Sequence, residues 1–221
     1  MDFYIKKIFY FFSFLLIVIF FGCSNSLTKI DNANATVVFE FENPENLPNS
    51  RLCVFVSPSE NVRRVEKFSI LFLENDYEWE IDEILQFQTS SKYYAGYTNF
   101  VMPEGEKFPN SDIKILYTEA DEDESSTVIK LEYNSKFYDC NLEEALKIIK
   151  SEKFLEKISI YNENSTLIYF GDYVNELKSN EDLLKIYKDA KFIRKIWCSQ
   201  DNSVICILPI EEIEEIIKKE N

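Results

Sequence analysis

Three groups of residues have types and spacings that could do chemistry. Cys23 directly follows Gly22 at the end of an apolar run over residues 8–21, where it is either an ordinary thiol or a point of lipid attachment. Cys198 and Cys206 stand symmetrically about Asn202, on either side of a polar turn. At that spacing two hairpin thiols can meet as a disulfide, or fill two apolar sites separately. Trp79, Tyr93, Tyr94 and Tyr97 form an aromatic group that could stack on a sugar ring or an extended peptide, or serve as core.

What is missing narrows the chemistry further. The chain has no histidine, so Ser-His-Asp and Cys-His nucleophiles, His-bearing zinc sites and the usual near-neutral proton shuttle are excluded. Its four glycines are isolated, so no glycine-rich loop can cradle a phosphate. No CxxC occurs. Asp121, Asp123, Ser125 and Glu132 match ligand positions of a calcium loop, but Ser126 stands where its sharp turn requires Gly. Neither a metal, a cofactor nor a catalytic residue is expected. With 39 acidic against 24 basic residues, the surface repels phosphate backbones, which argues against nucleic acid as a partner.

The amino terminus carries its own address. Lys6 and Lys7 precede the run over residues 8–21, in which Ser13 is the one polar position. Fourteen residues at about 1.5 Å each rise roughly 21 Å, too short for a hydrocarbon core of about 30 Å. Such a run behind two lysines reads as a signal-peptide core. With Gly22-Cys23 and the polar residues 24–26, it resembles the lipobox of bacterial lipoproteins. That resemblance covers residues 1–23, and Phe20 and Phe21 depart from it where Leu and a small residue are usual. It implies cleavage before Cys23 and a diacylglycerol on that thiol, usually with an amide-linked acyl chain. Ser24 implies sorting to the outer membrane. An uncleaved, short amphitropic anchor is the other reading.

Behind the anchor, elements must position whatever the protein presents. Residues 23–34 read as a tether. From Val37, Phe39 and Phe41 onward the pattern has period two, with strand-like stretches at 51–57, 68–74, 77–82, 93–102, 113–119 and 127–133 separated by turn-formers. Residues 35–134 are therefore expected to form an antiparallel, Ig-like β-sandwich.

Residues 142–170 then align without a gap on 180–208, an offset of 38 with 11 of 29 positions identical. Each copy begins at an N-cap spacing, Asn141 with Glu144 and Ser179 with Asp182, and continues as helix, strand, polar turn, strand. Residues 210–219 after Pro209 read as a last helix. The expectation is an α+β protein of two domains: the sandwich, and a duplicated α-β-β unit with a final helix over residues 137–221.

Function at this level is that of a cell-envelope lipoprotein, extracytoplasmic, at the outer membrane or periplasmic face. It would touch the membrane through lipid on Cys23 and meet another envelope protein or an extracellular ligand, binding or scaffolding without catalysis. Capture of a small sugar or peptide by the aromatic group is the alternative.

Overall fold

The computed structural model describes residues 29–59, 65–120, 123–177 and 179–213. The apolar run and Cys23 lie outside them. Twelve strands are seen among the described residues, in two sheets. The strands are β1 (Ile30–Glu40), β2 (Asn49–Pro58), β3 (Val65–Phe72), β4 (Glu78–Ile81), β5 (Leu85–Gln88), β6 (Tyr93–Phe100), β7 (Asp112–Glu119), β8 (Glu124–Lys130), β9 (Leu155–Tyr161), β10 (Leu167–Asp172), β11 (Phe192–Cys198) and β12 (Val204–Glu212). Two helices, α1 (Leu142–Glu152) and α2 (Asn180–Ile186), precede β9 and β11.

One sheet has eight strands in the order β10-β9-β11-β12-β1-β2-β6-β5; the other has four, β4-β3-β7-β8. All pairings are antiparallel except β1 with β12, which runs parallel and sets Val37 beside Val204 and Phe39 beside Cys206.

Alternation explains the core. In β7, Ile113, Ile115 and Tyr117 are fully buried, while Lys114, Leu116 and Thr118 between them are not. They meet Phe68, Ile70 and Phe72 of β3, and across the gap Val37, Phe39, Leu52, Val54 and Val56 of the larger sheet. A second, smaller cluster forms where α2 lays Leu183 over Ile158, Ile160 and Ile193. The helix starts are capped as their spacing requires. Asn141 and Glu144 each accept from the other's backbone N–H, and the Ser179 hydroxyl accepts from the Asp182 N–H.

Four expectations need correction. Residues 30–34, expected as part of a tether, belong to β1. A division between residues 134 and 137 is crossed by both sheet and core: Phe137, Ala145, Ile149 and Cys206 pack in the same cluster as Phe39 and Leu52. Residues 210–212 extend β12 instead of starting a helix, because Glu211 and Glu212 pair with Ile193 and Phe192; residues 214–221 lie outside the description.

The fourth concerns the aligned units. The α-β-β order occurs twice, but β9 and β11 pair with Ile158 opposite Lys195 and Lys157 opposite Ile196. Directly paired residues share a face and successive ones alternate, so Ile158 and its counterpart Ile196 point to opposite sides. Ile158 is fully buried beneath α2, whereas Ile196 lies half-buried on the other face. The two units do not repeat each other's packing.

Candidate functional surface

Sheet–sheet packing and the helices cover one face of the eight-stranded sheet. The opposite face carries the side chains that β2 alternates away from the core: Arg51, Cys53 and Phe55. Two clusters lie there.

The first joins three strands. Glu40, at the end of β1, accepts from Arg51 Nη1 at 2.5 Å and from Arg194 Nη2 at 2.7 Å. Arg194 Nε also donates to the Leu208 carbonyl at 2.7 Å, which fixes the guanidinium plane. Burial alone would raise the Glu40 pKa; the hydrogen bonds from Arg51 and then Arg194 outweigh it, and the net shift is downward. Such a carboxylate stays ionised and has its oxygens occupied. It is built to hold strands together and is a poor proton donor or acceptor for chemistry.

The second cluster is aromatic. Phe87 of β5 stacks on Tyr94 of β6 with ring centres 4.9 Å apart and planes 14° apart, and Phe55 meets Phe87 edge-on at 5.4 Å. Gly96 makes this arrangement feasible. A Cβ there would sit 2.0 Å from the Val54 carbonyl oxygen and 2.7 Å from the Phe55 ring, which lies over the glycine toward β5. Phe87 is 48% exposed and Leu85 47%, so apolar surface faces outward.

Only one residue of the aromatic group expected from sequence belongs to this cluster. Tyr94 is on the outer face, paired with Phe87. Trp79, Tyr93 and Tyr97 pack against the core instead, Trp79 edge-on to Phe72 at 5.8 Å and Tyr97 edge-on to Phe100 at 5.1 Å. The structure thus splits Tyr93 from Tyr94 by face and adds Phe55 and Phe87. A sequence signal for Phe87 existed: Leu85 and Phe87 alternate with Gln86 and Gln88 just before the turn-forming residues 89–92.

The thiols are also rearranged. Cys198 pairs with Ile205 and Trp197 with Cys206, one residue away from the register that would oppose the two cysteines. A single-residue step moves a side chain to the other face, so the pair is separated by the sheet. Cys53, Cys140, Cys198 and Cys206 are all free. Burial dominates their titration. It pushes Cys140 up to about 11, with Glu144 and Asp139 adding, and raises Cys206 further still. Cys198 is raised by burial against a lowering by Lys157, and Cys53 by burial against Arg51. None is an activated thiolate.

Carboxylates gather at one cavity of about 520 Å³, whose lining includes Glu132, Glu152 and Asp201. Their oxygens have local tasks. Asp201 accepts from the Ser199 hydroxyl at 2.6 Å and from the Ser203 backbone N–H and hydroxyl at 3.0 and 2.9 Å. Burial would raise its pKa, but these bonds bring it below the ordinary value. Glu152 accepts from Asn134 at 2.6 Å. Among the described residues no group of three or more acidic or cysteine side chains is disposed to hold a metal ion.

Comparison with known protein families, curated proteins and solved structures gave no match. The functional reading therefore rests on residues and geometry.

Proposed function

We propose that this chain is a lipid-anchored protein of the cell envelope that acts by binding or scaffolding, without a catalytic step of its own. The observation that carries the reading is the apolar run of residues 8–21 closing on Gly22-Cys23, behind two lysines and before a polar stretch. Its body is held outside the cytoplasm by diacylglycerol on Cys23, and it meets another envelope protein or an extracellular ligand.

The chemistry of the body supports a non-catalytic role. Both oxygens of Glu40 and Oδ1 of Asp201 accept hydrogen bonds that lower their pKa values, and burial raises those of the thiols. Two sheets about a common core support a sandwich-like reading of the first 100 or so residues after the tether. The repeated α-β-β order supports descent of residues 142–170 and 180–208 from one unit, with packing that has since diverged.

Metabolic labelling with radioactive palmitate tests the anchor. The wild-type chain takes up label and matures to the mass expected for cleavage before Cys23; Cys23→Ser takes up none and keeps its first 22 residues. Equal labelling of the two chains sinks the proposal.

A further inference from the structure

The aromatic cluster on the outer face stands close to where the anchor segment joins the body. Lys29 is the first described residue, and its carbonyl accepts from the Ser59 N–H at 2.8 Å while Ile30 pairs with Pro58. On the next strand over, Ala95 pairs with Val56, so Tyr94 and Tyr93 continue toward the level of Pro58. Phe87 pairs with Tyr94, and the turn joining β5 to β6 lies beyond it in the same direction. Three strand spacings of about 4.8 Å therefore separate β1 from β5, at the same end of the sheet. Six residue steps lead from Cys23 to Lys29, and they span at most about 21 Å. A lipid on Cys23 holds this corner of the sheet within that distance of the bilayer.

The hairpin segment is also free of acidic side chains. Acidic residues make up 39 of 221 positions, roughly one in six, yet residues 84–103 contain none and carry one cation, Lys92. Lys29, three strands away at the same end of the sheet, is a second cation, with the exposed acid Asp31 two residues on. The exposed groups on the hairpin's outer face are Leu85 and Phe87, with Tyr94 stacked against Phe87. Apolar side chains with a phenol among them and lysines at the margin suit the boundary between headgroups and acyl chains. The end of β7 and the start of β8, with Glu119 and Glu124, lie at the same end of the molecule as Lys29, but in the four-stranded sheet behind the core. With the outer face of the hairpin turned to lipid, the core stands between the bilayer and those acids.

We infer that the β5–β6 hairpin is a membrane-docking element, in which Leu85, Phe87 and Tyr94 enter the interfacial region of the bilayer beside the lipid on Cys23. The inference rests on the lipid anchor proposed above. It assigns an orientation: the outer face of the eight-stranded sheet turns toward the membrane at its Lys29 corner, and the four-stranded sheet points away. One lipid attachment then becomes a two-point contact, which restricts the swing of the body about its tether.

Full-length protein reconstituted in phosphatidylcholine vesicles tests this. Phe87→Trp places an indole on the exposed ring position, and lipids brominated near the headgroup read its depth, with the signal of the unsubstituted chain subtracted to remove Trp79 and Trp197. The expected result is quenching of the introduced indole by about twofold or more. In Phe87→Trp/Leu85→Glu the quenching should fall severalfold, while circular dichroism shows an unchanged fold. Quenching below about a tenth, with mass spectrometry showing lipid on Cys23, overturns the docking inference and leaves the anchor standing. Strong quenching in vesicle-bound chain that lacks lipid on Cys23 supports the hairpin and overturns the anchor.

Discussion

Arg194 Nη2 donates to Glu40 Oε1 at 2.7 Å, across 154 positions of sequence. The bond ties the last strands to the first one, and Arg51 completes it from β2. Side chains at 23–28% exposure keep a substantial part of such a charge-assisted bond's strength.

Glu40→Gln should destabilise the chain by about 1–3 kcal/mol, since two guanidinium groups lose their counter-charge. The acid behaviour follows from the direction of the shift. A carboxyl whose folded pKa lies below its ordinary value of 4.5 contributes stability above that value, and the contribution drains as pH falls through the folded pKa. Urea titrations at neutral pH and in mild acid should show the wild type losing this margin and Glu40→Gln losing less. Parallel pH profiles for the two chains would refute the claim.

Gly96→Ala should be costly for steric reasons. The new methyl would lie 2.0 Å from the Val54 carbonyl oxygen, so β2 and β6 must separate or the Phe55 ring must move. Overpacking of this kind costs about 1–3 kcal/mol, and the melting temperature should fall by several degrees. An unchanged melting curve would show that the strands yield freely there.

Thiol titration checks the register of the last hairpin. In Cys23→Ser, the four remaining cysteines should all react with a disulfide reagent after unfolding without reductant. In the folded protein at neutral pH, Cys140, Cys198 and Cys206 should react slowly, because burial raises their pKa values and removes thiolate. Two missing thiols in the unfolded sample would mean that Cys198 and Cys206 are bridged after all.

Phe137 tests whether the body unfolds as one. Its ring is fully buried between Phe39 at 5.3 Å and Phe154 at 5.9 Å. Phe137→Ala should cost about 3–5 kcal/mol with its cavity, and the loss should appear in a single transition that includes the strands on both sides of residue 137. Two separated transitions, or two protease-resistant halves meeting near residue 137, would mean that the common core is not cooperative.

Much of the local structure was legible in the chain itself. Ile113, Ile115 and Tyr117 alternate with polar or less buried neighbours, and that period of two dictates a strand with one buried face whatever it packs against. Asn141 and Glu144 stand three apart, the separation at which a side chain can reach the other's backbone N–H, so the start of α1 is a local fact. The lipid attachment proposed at Cys23 rests wholly on sequence, on the apolar run and the small residue before it.

Partnership and register were decided only in three dimensions. The parallel pairing that seats Val37 beside Val204 merges what reads as two domains into one sheet, and nothing in either strand's alternation names its neighbour. Tyr93 and Tyr94 must face opposite sides, yet only the covering of one face by β3 and β7 makes Tyr93 core and leaves Tyr94 with Phe87 outside. Cys198 and Cys206 part for the same kind of reason. The turn after Cys198 closes one residue away from the symmetric register, and a one-residue step exchanges faces. Alternation is a property of each strand's own backbone and can be read in isolation. The choice among neighbours and registers depends on small differences summed over many distant contacts, and the folded chain alone performs that sum.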